Sequence, residues 1–285
     1  MAVHPLTHGV WYTEFVQQGD RPALGLAAGS RHSILIDGGN GPAQVRELLD
    51  LAAALDIPPL QAVCLTHWHW DHVFGAAHTG LPVVACRGTR QRVDWMRTLA
   101  WTDADLDRRV AEGTEMDFCR EHIRIEHPRD DRDITVAPVD VVFDRRLTLD
   151  LGGLTAQLLW VDCDHVPDSV VVHLEEPGVV FLGDCLYANM DRQPWYRGGR
   201  RTLALLDTLA GLGADWYIPA HHPLYTREEF LAYVREQHRL VELVGASVTR
   251  EEVEQRCLAQ SGRLPTPEEW EDLEDYLHGN QRQVL

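Results

Sequence analysis

Within Thr66-His67-Trp68-His69-Trp70-Asp71-His72, three imidazoles and a carboxylate fall into six consecutive positions. Imidazole nitrogen and carboxylate oxygen together suit zinc, and also iron or manganese. The preceding run, Gln61-Ala-Val-Cys-Leu65, is apolar and β-prone, which places the cluster on the loop leaving a buried strand. A turning loop can aim side chains at two neighbouring points, which neither a straight strand nor one helix face does easily. Local hydrogen bonding would account for a single histidine here. Four donor residues so close together point to metal.

This segment resembles the HxHxDH signature of the metallo-β-lactamase fold superfamily, in which two metal sites lie side by side. The resemblance implies three further ligands downstream, and each has a match in order. His165 lies in Asp162-Cys-Asp-His-Val-Pro-Asp-Ser169, similar to the family's later histidine turn. Asp184 ends the apolar strand Val179-Val-Phe-Leu-Gly-Asp-Cys185, and His221 lies in the turn Tyr217-Ile-Pro-Ala-His-His-Pro223. By that resemblance His67, His69 and His165 hold one metal, Asp71, His72 and His221 hold the second, and Asp184 bridges both. The implied cofactor is two zinc ions per chain, with iron or manganese as alternatives. Asp164, Asp168 and Ala220 stand where the family commonly has glycine, which predicts a change in loop shape, since Gly reaches positive φ cheaply and Ala does not.

The elements that must position these residues follow from the rest of the chain. Val10–Val16, Leu24–Ala28 and Ser33–Asp37 read as early strands, the last closing on the turn Gly38-Gly-Asn-Gly41. Asp37 occupies the place of a family aspartate near the metal loop, and we read it as supporting the ligands rather than as one of them. Pro42 opens a helix that runs to about Leu55, with proline in its favoured first position. The pattern fits an α/β fold, an αβ/βα four-layer sandwich whose ligand loops emerge at one edge of two mixed sheets. Residues 1–225 form the expected catalytic domain and 226–285 a helical C-terminal extension.

Two segments exceed a minimal sandwich. Residues 88–135 look helical, with Thr89 and Thr102 as caps and the charged run 129–133 at the end. They form either a surface insertion or a lid, in which Trp95, Met96 and Trp101 either wall a substrate or fill a core. From Thr226 onward, Thr226/Glu229, Thr249/Glu252 and Thr266/Glu269 each match the capping box, so three helices are expected. Their apolar residues, among them Phe230, Leu240, Leu243, Trp270, Leu273 and Leu277, pack on the sandwich or against a second subunit in a homodimer.

Composition narrows the function. The 285 residues suffice for one large core, and the formal net charge is −18. An acidic surface repels phosphate backbones, so the expected partner is a small-molecule substrate and not nucleic acid. All 26 basic residues are arginine, and the missing lysine excludes a Schiff-base mechanism and a P-loop. The six cysteines lack CxxC spacing and read as reduced thiols; with no signal-like N-terminus and no long apolar run, the expected location is cytoplasmic, off the membrane. Cys163 and Cys185, beside ligand motifs, read as small buried hydrophobes.

Two metals in the implied arrangement generate a bridging hydroxide near neutral pH, which attacks an electrophilic centre. Asp71 could hold that hydroxide as well as bind metal. Tyr187, three positions after Asp184, resembles the substrate-facing tyrosine of the superfamily's quorum-quenching lactonases, although a packing role fits equally. Arg197, Arg200 and Arg201 form a basic patch that either receives a substrate anion or caps the next helix. His222 adjoins His221 and could support it. The expectation is a dinuclear metal-dependent hydrolase of a lactone, ester or thioester. The alternatives are a mononuclear iron oxygenase resembling the persulfide dioxygenases, which would use His67, His165 and Asp184, and a phosphodiesterase of the same fold.

Overall fold

The computed structural model describes residues 3–129, 134–191 and 193–283. Each half of the chain builds one sheet. The first holds seven strands in sequence order: β1 (Val3–Thr7), β2 (Val10–Thr13), β3 (Gly25–Ala28), β4 (Ser33–Ile36), β5 (Leu60–Cys64), β6 (Val83–Cys86) and β7 (Val141–Phe143). Strands β1 to β4 are antiparallel, and β4 to β7 run parallel. The second sheet has six strands: β8 (Arg146–Asp150), β9 (Thr155–Trp160), β10 (Val170–Leu174), β11 (Val179–Gly183), β12 (Trp216–Pro219) and β13 (Tyr225–Thr226), ordered β13-β12-β11-β10-β9-β8.

Hydrophobic patterning explains the layering. Strands β3, β4, β6 and β11 are buried on both faces, as their apolar runs, broken only by Ser33, require. One core lies between the sheets, where Ile34, Ile36 and Cys64 meet Leu158, Val172 and Phe181. The outer face of the first sheet is covered by α1 (Pro42–Ala54) and α3 (Arg87–Met96), through residues such as Leu48 and Val93. The outer face of the second is covered by α6 (Gly199–Gly211) and the start of α7 (Arg227–Val244), through Leu206 and Phe230. This is the four-layer αβ/βα sandwich that the resemblance implies.

Beyond it, α7 continues into a satellite core with α8 (Arg250–Ser261) and α9 (Pro267–Gln281), where Leu240, Leu243, Trp270, Leu273 and Leu277 are buried. All three predicted capping boxes are present, each threonine accepting from the N3 amide while the N3 glutamate accepts from the cap. Helix α9 leans directly on the Arg197 carbonyl, and Gly279 is the point of approach, because a Cβ there would overlap that backbone.

The insertion is helical as expected, with α3 followed by α4 (Asp103–Ala111) and α5 (Asp117–Glu126). Thr102 caps α4, but Thr89 caps nothing: it lies inside α3, whose N-cap is Cys86. Its hydroxyl instead donates to Asp168 Oδ2 at 2.8 Å. The charged run falls outside the described residues from 130 to 133. Met96 and Trp101 are buried in the outer core and so are not substrate wall, whereas Trp95 is exposed and meets Trp68 edge to face. No helix among the described residues is long and apolar enough to cross a membrane.

Candidate metal centre

Strand polarity brings the donor residues to one edge. Strands β9, β11 and β12 point the same way, since β10 is antiparallel to both β9 and β11, while β12 is parallel to β11. His165, Asp184 and His221 follow the C-terminal ends of these three strands. In the other sheet, the HxHxDH loop follows β5, with Asp71 and His72 in the one-turn helix α2 (Trp70–Val73). Gly183 makes the seam between them close: its φ is +52°, and a side chain there would strike Thr66.

The seven predicted residues fall into two groups whose donor atoms lie within 4.8 Å of one another: His67, His69, His165 and Asp184, and Asp71, His72, Asp184 and His221. Asp184 contributes a different oxygen to each. Its Oδ2 is 3.6 Å from His67 Nε2 and 3.3 Å from His165 Nε2. Its Oδ1 is 3.5 Å from His72 Nε2 and 3.6 Å from His221 Nε2. Asp71 Oδ2 closes the second group at 3.1 Å from His72 Nε2 and 3.2 Å from His221 Nε2.

The supporting bonds settle which nitrogen faces inward. Asp37 Oδ1 accepts from the Thr66 amide at 2.7 Å, and its Oδ2 accepts from the Thr66 hydroxyl at 2.8 Å. The same Oδ2 takes His72 Nδ1–H at 2.8 Å, leaving Nε2 of that ring to the centre. Because the Thr66 proton is committed to Asp37, its oxygen accepts from His67 Nδ1–H at 3.1 Å. The Ala188 carbonyl receives His165 Nδ1–H at 3.3 Å, and Asp20 Oδ1 lies 3.3 Å from His221 Nδ1. His69 presents Nδ1, 3.1 Å from His165 Nε2. Outward nitrogens anchored in this way are what metal-binding histidines require.

A divalent cation fits each group. His67 Nε2, Asp71 Oδ2, His72 Nε2 and Asp184 Oδ1 are all buried and make no hydrogen bond. Leaving four such atoms unsatisfied would be costly, and a cation in each group would satisfy them together. Unaided, the side chains balance charge with protons. Burial depresses His67, and burial followed by His165 brings His69 down to about 3. Burial opposes charge on His72 too, but Asp71, Asp37 and Asp184 outweigh it and hold that ring well above the usual range. At His221 burial is likewise outweighed, first by Asp184 and then by Asp71, which lifts it to about 9. Asp184 is held well below the carboxylate range because His221 and His72 overcome its burial.

Around this centre, Tyr187 lies with its ring 5.8 Å from His165, 6.1 Å from His221 and 5.5 Å from His222. Its hydroxyl is buried without a hydrogen-bond partner, and burial, then Asp184, pushes it up so that it keeps its proton. Tyr187 and His222 also line a cavity of about 690 Å³ together with Trp195, Tyr233, Glu271 and Asp275. Two arginines of the basic patch are engaged within the protein. Arg197 is ion-paired with Asp272 and Asp275 of α9, and Arg201 with Asp164. Cys163 and Cys185 are buried free thiols.

The glycine replacements carry no backbone strain, since none of residues 164, 168 and 220 has a positive φ. Asp164 serves as a clasp, accepting from the Gly198 amide at 2.9 Å at the head of α6. Asp20, Thr66 and the Ala188 carbonyl were not anticipated as supports. Only Thr66, adjoining the histidine cluster, had a signal that could have found it.

Comparison with known proteins agrees with this architecture. The family model described as the metallo-beta-lactamase superfamily matches residues 24–221. No curated protein matches the chain. Among solved structures, a metallo-beta-lactamase from Pontibacter korlensis is 18% identical over 83% of this chain and 98% of its own, with a TM-score of 0.56. A metallo-beta-lactamase family protein from Thermus thermophilus is 21% identical over 91% and 89%, at 0.56. A stereoselective inverting sec-alkylsulfatase from Pseudomonas sp. is 17% identical and covers 99% of this chain at 0.63, although the chain spans only 49% of that protein. These likenesses establish a shared fold. With the family match running from β3 through β12 and taking in every donor residue of the two groups, the chain belongs to the metallo-beta-lactamase superfamily.

Proposed function

We propose that this protein is a dinuclear metal-dependent hydrolase of a small carbonyl compound: a lactone, ester or thioester. The observation that carries the reading is the sharing of Asp184, one oxygen toward each of two complete donor groups. When bound, two divalent cations, zinc in our reading, supply activated water near neutral pH and polarise a carbonyl oxygen. The chain does the positioning. His67, His69 and His165 hold one cation, and Asp71, His72 and His221 the other. Asp71 also orients the attacking water through its carboxylate. Tyr187, protonated and without an internal partner, donates its hydroxyl to the substrate carbonyl or leaving oxygen. The neighbouring cavity is of ordinary small-ligand size, and its aromatic and acidic lining favours a neutral or cationic substrate arm over an anionic one.

Elemental analysis of protein purified without added metal, followed by a panel of lactone, thioester, phosphodiester and alkyl sulfate substrates, tests this reading. Two metals per chain with carbonyl-substrate turnover is the expected result. One iron per chain with no hydrolysis would overturn it in favour of an oxygenase. Asp184→Ala should lose most metal and nearly all turnover with the sandwich still folded, because no water reproduces a carboxylate that neutralises both cations. Wild-type stoichiometry and rate in that variant would remove Asp184 from the centre.

A further inference from the structure

We infer that Asp20 is a positioning residue for His221, and that the α4–α5 insertion acts on the metal centre through it. The inference rests on the dinuclear reading above. Asp20 lies on a tight turn closed by Val16 and Arg21, whose backbones exchange hydrogen bonds of 2.9 and 3.0 Å. Its Oδ1 is 3.3 Å from His221 Nδ1, the nitrogen facing away from the donor group. Among the described residues, Asp20 is the partner of that nitrogen. A carboxylate at this distance attracts the Nδ1 proton electrostatically, which favours the tautomer with Nε2 inward and makes the ring a better donor.

Backbone geometry singles out the same residue. Only three non-glycine positions among the described residues have positive φ: Asp20 at 53°, Asp37 at 61° and Gln283 at 58°. Two of the three are carboxylates reaching the outward nitrogen of a second-group histidine, Asp37 for His72 and Asp20 for His221. Left-handed backbone at a non-glycine residue persists where its surroundings enforce it, and such positions gather at functional sites. Both turns aim a carboxylate that an extended strand would turn elsewhere.

The enforcement on Asp20 comes from the insertion. Arg21 forms a two-pronged pair with Glu126, the last residue of α5, with both contacts at 3.0 Å. On the other side, the Gly19 carbonyl accepts from Asn40 Nδ2 at 2.6 Å, and the Asn40 carbonyl lies 2.9 Å from His127 Nε2, one residue beyond α5. The end of α5 therefore grips the turn from two directions. A chain of contacts runs from α5 through Glu126 and Arg21 to Asp20 and His221. The insertion is then a brace for the second donor group, whatever else it covers.

Chelator-competition titration of the purified full chain with Zn²⁺ tests this, together with the visible spectrum of the Co²⁺ form. Asp20→Gly removes the carboxylate and relieves the positive φ, so a loss cannot be blamed on strain. One of the two binding steps should weaken roughly 10–100-fold, with the other unchanged and an altered Co²⁺ spectrum. Asp20→Asn, which keeps the turn and an acceptor oxygen, should recover most of that loss. Glu126→Ala should weaken the same step by a smaller factor, and the Asp20→Gly/Glu126→Ala double variant should be no weaker than Asp20→Gly alone. A wild-type chain that takes two ions and an Asp20→Gly chain with the same two affinities would overturn this inference alone. A Glu126→Ala loss that adds in full to that of Asp20→Gly would overturn the route through the insertion. A wild-type chain that takes fewer than two ions overturns the dinuclear reading and this inference with it.

Discussion

The partner of one histidine nitrogen steers the other toward a cation, and Asp37 does this for His72 while also binding Thr66 through backbone and hydroxyl. Asp37→Ala frees the His72 ring and, through Thr66, the His67 ring. Zinc affinity should fall roughly 10–100-fold in a chelator competition, and an unchanged affinity would show that Asp37 only shapes its turn. Tyr187→Phe deletes one hydroxyl and keeps the ring between His165 and His222. Losing a donor to a developing oxyanion typically costs on the order of 10²–10³ in kcat, and the two metals of the proposed centre would share that charge, which puts the expected loss at the low end or below. Metal content should stay at the wild-type level; a Phe variant with wild-type lactone and thioester rates would leave Tyr187 a packing residue. The gathering of these seven residues was legible because four of them fall within the HxHxDH loop and its resemblance to the superfamily implied the other three in order. Asp20 was not, because a polar turn near the N-terminus carries no motif and its partner His221 lies far along the chain. Trp95 and Met96 end α3 and Trp101 lies in the loop before α4, and the sequence pattern alone cannot tell a core position from a substrate wall.

Helix starts were legible where a threonine and a glutamate close on each other, as at Thr226, Thr249 and Thr266. Thr89 has the same chemistry but a better partner in Asp168, brought to it only by the tertiary fold. Helix α9 makes the capping argument quantitative in pH. Glu269 accepts from the Thr266 amide and from Arg263 and Arg239. These bonds, Arg263 first, hold its carboxyl down to about 2 from an ordinary 4.5. A depressed folded-state pKa means the contribution is complete above about 4.5 and is lost as pH falls toward 2. Acidification through that window should therefore loosen the start of α9 before the sheets. Amide hydrogen exchange would show this as early loss of protection in residues 267–281, and simultaneous loss everywhere would mean that Glu269 contributes nothing local.

At the scale of the whole molecule, the first seven strands make one sheet and the last six the other. Each donor group draws on both: His67 and His69 meet His165 and Asp184, and Asp71 and His72 meet Asp184 and His221. Ions that bind only the folded chain stabilise it, by about 2.7 kcal/mol for one site at a free concentration 100 times its Kd. Chelation should therefore lower Tm by several degrees, since about 1 kcal/mol corresponds to ~2–4 °C in larger domains. A scanning-calorimetry trace indifferent to chelator would mean that no tightly held ion is shared across the seam. The same division has a consequence for how the protein can vary. A site assembled from two independently built halves acts as a gauge of their alignment, closing only at one tilt of sheet on sheet. The inner core, with Phe181 of one sheet lying against Gly25 of the other, sets that tilt. Changes of shape among buried aliphatics can then retune ion affinity without touching an imidazole, and the packing between the sheets becomes a heritable adjustment of the chemistry at their edge.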